Sequence, residues 1–495
     1  MVYIIGTKTL LTMAFLKSDV FDIINNLKHE IVSYGTAQGR ENLECFIEPD
    51  ECDRRDNLFV RKSPLSAPIL INYLLRHNPL SSQISIDEFF DEIGQKPVSK
   101  SAISQKRTRL NPEIFNYLNS RLISSCYQQF ADSMKRWNGW YLMACDGSDL
   151  VLPDTDALAE YFGKRNFTTN RGRKGQSSPM AKAMMVSDIL NGFTLKSLLL
   201  PQKVNEMKAF IDMLHELVST LPFNILQSIC LFDRGFFSMM MIYNLERAGL
   251  KYVIRATLAS SVVRDFIDSG LRECIIEWTP SKYTSLDKDK EWRSQGEKPL
   301  TVRLVRVDLP SGETEVLATN LTATQVDAAS MKSLYFMRWP IEVEFLHYKH
   351  VYEIEAFSGG RPVCVLQDFN AVVLCHNIVC LLIDMQKDVV RDECRHRKHR
   401  YKTNTAIFVG VFFSVLVDML WLNKTEESLT LLQTTATKAL TPIRDNRSYP
   451  RVRKRHKKGV RTRTKTNRKR VLYLLSLTAL RRTPPQDYPS ENVRL

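Results

Sequence analysis

At 495 residues, 44% hydrophobic and 25% charged, the chain has a globular composition and enough length to bury a large core, which excludes a wholly disordered or low-complexity polypeptide. Its formal net charge of +15 points to a polyanionic partner. That charge is concentrated: residues 444–470 hold 14 Lys/Arg and one Asp, so +13 of the +15 falls in one segment. The ten Cys include no CxxC pair and no Cys/His set at zinc spacing, which argues against a disulfide framework or a zinc module and fits a reducing compartment.

In chain order, the apolar patch Leu10–Leu16 has a thin positive flank and no convincing cleavage site, and Met13 is an alternative start. Residues 1–135 read as a helical N-terminal DNA-binding region. Ile86–Ile93, Gly94, Pro97 and a helix capped by Ser99 and running to Leu110 give a helix-turn-helix outline carrying Lys106, Arg107 and Arg109. A plain helical hairpin with a solvated basic face fits that stretch equally well.

From Gly139 the pattern changes. WYLMACD (140–146) reads as an apolar strand ending in an acid, with a tight turn expected at Gly147-Ser148-Asp149. Two further strands flank Asn191-Gly192, a strong hairpin signal. A helix follows over 205–221, then the strand ILQSICLFD (225–233) ending in a second acid, then a helix capped by Ser238 and the strand KYVIRA. The order predicts an α/β layer with mixed strand directions over 136–258. Residues 259–321 read as a β-rich insertion, with Trp278 ending one of its strands and Trp292 in a polar loop. Residues 322–440 resume the layer and add apolar helices at 366–390 and 405–422. The second of these contains Asp418 and reads as a buried core helix rather than a membrane span. Residues 441–495 form a basic tail expected to be disordered until it meets DNA, which it would bind without sequence preference and with strong salt dependence. The TNRGRKGQ loop (169–176) fits either a phosphate-binding loop or a solvated one.

The chemistry centres on LYFMRWPIEVEFLHYK (334–349). Tyr335, Arg338, Glu342 and Lys349, at offsets of three, four and seven, would lie in one sector of a continuous helix. Alone, the stretch is equally an amphipathic helix with an i,i+4 ion pair. Pro340 cannot donate to the carbonyl of Phe336, so a break is expected there, with Glu342 and Lys349 sharing the second helix. Asp146 and Asp233 at strand ends, with Glu342, make a set of hard oxygen donors suited to Mg²⁺. Each also has an ordinary reading as a cap or turn residue, and Asp149, Asp154, Glu344, Glu353 and Glu355 compete for the roles.

Taken together, these motifs resemble the DDE transposases of bacterial insertion sequences, in the group with the Y-x2-R-x3-E-x6-K signature. Tyr335, Arg338, Glu342 and Lys349 match every offset, and CDGSDLVLP around Asp146 and FDRGFFS around Asp233 resemble the first two acidic motifs. SKSAISQKRTRLNPEIF and RSYPRVRKR resemble the regions on either side of the core. The spacings of 87 positions from Asp146 to Asp233 and 109 from Asp233 to Glu342 leave room for an insertion.

The resemblance implies an RNase H-like catalytic core with a mixed sheet, with Asp146, Asp233 and Glu342 as catalytic residues and ligands of two Mg²⁺ ions, Mn²⁺ substituting. It implies cut-and-paste transposition at terminal inverted repeats, a hairpin intermediate, joining of 3′-OH ends to target DNA, and a homodimer in the synaptic complex. Tyr335, Arg338, Lys349, Arg234 and Trp278 would then contact DNA. The first three would hold a 5′ phosphate from across the break at Pro340, and Trp278 would stack on a flipped base. A cytoplasmic, nucleoid-associated protein with no membrane partner is expected. A catalytically inactive DNA-binding relative, or another RNase H-like nuclease, are the alternatives.

Overall fold

The computed structural model describes residues 15–47, 59, 63–76, 82–168, 174–280, 286, 288–309 and 312–444. The tail beyond Arg444, most of the 169–176 loop and the N-terminal apolar patch up to Ala14 lie outside the described residues.

Six helices come first: α1 (Lys17–Ser33), α2 (Ala37–Glu44), α3 (Ala67–Leu75), α4 (Ser82–Glu92), α5 (Lys100–Arg107) and α6 (Glu113–Gln129). Ser99 caps α5, accepting from the Ala102 amide at 3.2 Å. The helix ends at Arg107, three residues short of the expected Leu110. Of the three cations read there, Arg109 is exposed and Lys106 half-buried, whereas Arg107 does not join a solvated face. Arg107 is buried and reaches back to the core, donating to Asp368 at 2.7 Å, Gln367 at 2.9 Å and Ser358 at 2.7 Å. Lys106 lies over the Phe59 ring, 4.5 Å from its centroid. Arg107 therefore pins α5 to the core and is not a DNA-facing cation.

The sheet region runs β1 (Tyr141–Val151), α7 (Asp156–Phe162), β2 (Lys164–Thr168), β3 (Lys174–Asp188), β4 (Phe193–Pro201), α8 (Glu206–Thr220), β5 (Ser228–Phe232), α9 (Met239–Arg247), β6 (Lys251–Arg255), α10 (Ser261–Asp268), β7 (Glu273–Trp278), α11 (Lys290–Ser294), β8 (Leu300–Asp308) and β9 (Thr314–Thr319). Local chemistry sets these boundaries. Gly192, at φ 78°, takes the left-handed turn between β3 and β4, Asn205 caps α8, and Ser238 caps α9. The described chain closes with α12 (Ala328–Phe336), α13 (Pro340–His350), α14 (Pro362–Glu393), β10 (Arg400–Thr403), α15 (Thr405–Leu420), α16 (Thr425–Lys438) and β11 (Leu440–Ile443).

β1 sits centrally, antiparallel to β3 on one side and parallel to β5 on the other. β4 continues the antiparallel side, and β6 continues the parallel side. The first five residues of β1 and all of β5 are buried, which is why both read as unbroken apolar runs. β9 pairs antiparallel with β6, and β8 and β7 follow it. The segment read as an insertion thus extends the main sheet and does not build one of its own. α14 lies against α6 and β4. It is long and apolar enough to span a membrane, but 83% of its apolar window is buried inside the protein, as befits a central core helix.

Candidate active site

β1 carries Asp146 to the site. The parallel pairing with β5 ends at Cys145, so Asp146 is the first β1 residue without a β5 partner. On the other side β1 runs on, and Asp146, Gly147 and Ser148 stay paired with β3. The tight turn expected after Asp146 is therefore absent, because β3 holds the chain extended to Val151. Asp233 follows the last residue of β5 and precedes a 3₁₀ turn over Arg234–Phe236. Adjacent parallel strands ending side by side bring the first two acids to one rim of the sheet.

The third acid arrives on a helix. α12 ends at Phe336 and α13 begins at Pro340, the break that the proline requires. Arg338 lies in the intervening turn and is only 6% exposed. Its guanidinium donates to Glu342 Oε1 at 2.7 Å and makes a longer contact with Asp146 Oδ2 at 3.5 Å. The Tyr335 ring lies beneath it, 5.9 Å from centroid to guanidinium carbon. Asp233 acts electrostatically on both Tyr335 and Arg338. Tyr335, Arg338, Asp146 and Glu342 thus converge, with Asp233 at the neighbouring strand end. Lys349, at the far end of α13, donates to the Asp149 carbonyl at 2.7 Å, which brings it to β1 just beyond Asp146.

The competing acids are separated by what they touch. Glu344 faces the core, accepts from Ser187 at 3.0 Å and from Thr194, and is pushed up to about 7 by burial. Glu355 accepts from the Val151 amide at 3.0 Å. Asp149 pairs with Arg165. Arg234 lies exposed on the turn after Asp233. Trp278 is half-buried and stacked on Phe237 with ring centroids 5.2 Å apart, whereas Trp292 is buried and donates to the Lys298 carbonyl at 3.2 Å.

Burial pushes Asp146 up to about 6; Glu342 and Glu206 push the same way, while the Gly147 amide and Arg338 oppose them. Glu206 was not singled out from the sequence. As the first residue of α8 behind an Asn cap, it has the ordinary look of an acid placed on a helix dipole. The structure puts its carboxylate beside Gly147, where a Cβ would lie 2.6 Å from the Glu206 carboxyl carbon, and Lys182 pairs with it at 2.6 Å. Among the described residues, the Arg338 Nε and the Tyr335 hydroxyl are buried without hydrogen-bond partners. Unpaired donors of this kind are expected where a ligand completes the site.

The donor set is all carboxylate oxygen, which suits a hard divalent cation. Among the described residues no three acid, imidazole or thiol groups close on a single ion position. Instead, Asp146 and Glu342 share a cation, and that cation is the Arg338 guanidinium.

Residues 141–378, the stretch that builds this sheet and site, match the family described as the transposase DDE domain. The chain is similar to the putative transposase InsZ of Escherichia coli (strain K12), at 24% identity over 197 residues. The match takes in 38% of this chain and 60% of that protein. Among solved structures, a piggyBac transposase synaptic complex with hairpin DNA aligns over 86% of each chain at 10% identity, with a TM-score of 0.42. A Mos1 transposase paired-end complex with the left transposon end aligns over 49% of this chain and 88% of its own, at 12% identity and a TM-score of 0.17.

Proposed function

We propose that this protein is a DNA transposase of an insertion sequence, with an RNase H-like core, that cuts at terminal inverted repeats and joins the freed 3′-OH ends to target DNA. The observation that carries this reading is the pairing of Asp146 and Glu342 across one cation, beside Asp233, inside a transposase DDE domain. Asp146, Asp233 and Glu342 would hold the divalent ions, Mg²⁺ or Mn²⁺. Bound there, such ions activate the attacking oxygen and stabilise the leaving oxygen of a phosphoryl transfer.

The chain's own groups supply the rest. Arg338 offers a forked, charge-assisted contact to a phosphate once released from its two carboxylates. Tyr335 adds a hydroxyl donor that the fold leaves unpaired. Lys349 adds a point charge at the far end of α13, the helix that carries Glu342. Together they would position the end phosphate, in keeping with a hairpin route of excision. Arg234, next to Asp233 in the chain, and Trp278, stacked on Phe237, would also meet DNA, and two protomers would hold two ends in the synaptic complex. The test is excision of a DNA element bounded by the inverted repeats that flank this protein's own gene. Excision supports the reading, and its absence with divalent ion present sinks it.

A further inference from the structure

The described residues hold a second concentration of positive charge, away from the acids. Between the end of α14 and β10 the chain reads RDECRHRKHRYK (391–402), a stretch to which no function has been attached above. Arg395, Arg397, Lys398, Arg400 and Lys402 are all exposed. The first four border an open groove of about 590 Å³ whose other walls include Tyr401 and Ile443, and Lys402 follows one residue beyond it. Part of the charge is internally compensated, since Arg391 pairs with Asp388 at 2.7 Å and Arg395 with Asp392 at 3.2 Å. Arg397 is propped on the Tyr401 ring, 5.1 Å from its centroid, which orients a guanidinium without neutralising it.

Two connections make this loop more than a solvated basic patch. β10 pairs with β11 so that Arg400 lies opposite Ile443. The exposed Arg444 that follows, the first of 14 Lys/Arg in residues 444–470, therefore stands next to the loop's partner strand. On the same strand, Lys402 adds to burial in lowering the pKa of His347 on α13, the helix that carries Glu342 and Lys349. The loop therefore ends beside the start of the most cationic stretch of the chain.

We propose that residues 395–402 form a duplex-binding surface that tracks the phosphate backbone of the DNA leaving the active site and guides it toward the basic tail. The partner is a DNA duplex because long, flexible cations around an open groove suit a repeating phosphate line and offer no apolar pocket for a peptide. The inference rests on the transposase reading only for which nucleic acid is present; its test is separate.

The test uses the full chain and a 30-bp duplex of arbitrary sequence, with binding followed by fluorescence anisotropy from 50 to 200 mM salt. The triple variant Arg397→Ser/Lys398→Ser/Lys402→Ser loses three cations. If each meets one phosphate, the slope of log K against log salt becomes shallower by about 2.7. The ratio of affinities between the two salt limits then narrows by about forty-fold. The charge-keeping variant Arg397→Lys/Lys398→Arg/Lys402→Arg retains the wild-type slope, and Lys398→Glu alone also flattens it. These two bound the result if the triple variant folds poorly. A slope unchanged in both the triple variant and Lys398→Glu overturns the proposal and leaves an acidic protein surface as the partner the loop would serve. Failure of the transposase reading shows elsewhere, as absent excision with the salt slopes behaving as described.

Discussion

Arg338 donates to Glu342 at 2.7 Å from the turn just ahead of the helix that carries the acid, and the same guanidinium reaches across to Asp146. One buried cation thus holds two acids that come from positions 196 residues apart in the chain, Asp146 and Glu342. The arrangement gives each group a consequence that can be measured.

The first concerns Asp146 and pH. Its carboxyl is held up to about 6, above its ordinary 3.8. The folded state therefore keeps this proton longer than the unfolded state does. Below pH 4 the group is neutral in both states and costs nothing. Stability should decline as pH rises from about 4 through 6 and stay lowered above that. A shift of this size corresponds to at most about 3 kcal/mol, reduced by the partial exposure of the side chain. Asp146→Asn should flatten this decline and raise the unfolding free energy at pH 7.5 by roughly 1–2 kcal/mol, read by chemical denaturation across pH. Mg²⁺ should raise the melting temperature of the wild type and not that of the variant.

The second concerns Tyr335. Its hydroxyl is buried and unpaired among the described residues, and burial raises its pKa. Tyr335→Phe removes an unsatisfied polar group and keeps the ring under Arg338, so stability should hold or rise by up to about 1 kcal/mol. Cleavage at a DNA end should fall nonetheless if the hydroxyl serves a phosphate. Loss of stability on this substitution would show that the hydroxyl has a partner in the fold.

The third concerns Arg107. Arg107→Ala leaves Asp368 buried without its cation and also removes the contacts to Gln367 and Ser358. A cost of about 3–5 kcal/mol is expected, seen as a lower unfolding midpoint. Because Arg107 faces the core, DNA affinity per folded molecule should not change. A selective loss of affinity with stability intact would restore the helix-turn-helix reading of α5.

Much of the site was legible in the sequence because it is written in local terms. Asp233 closes a short apolar strand, and Pro340 forces a helix to restart just before Glu342. The order of strands and helices from Tyr141 to Arg255 follows from turn residues and caps, apart from α7 and β2, which the sequence reading does not contain. What was not legible depends on pairing partners far away in the chain. The strand through Asp146 continues because β3 pairs beside it, which no feature of CDGSD announces. The 259–321 segment joins the main sheet through β9 and β6, a long-range register. Arg107 has the sequence context of a solvated cation, and only the distant Asp368 makes it a core residue. Glu206 reaches the site because Gly147 leaves it space, a fit between two segments that no local pattern encodes.

The most direct measurement is cleavage of a DNA duplex carrying the flanking inverted repeat, with Mg²⁺, by the wild type and by Asp146→Ala, Asp233→Ala and Glu342→Ala. The wild type is expected to cut at the repeat end, and each variant is expected to bind the duplex with similar affinity and leave it uncut. Normal cleavage by any one of the three variants would contradict the account.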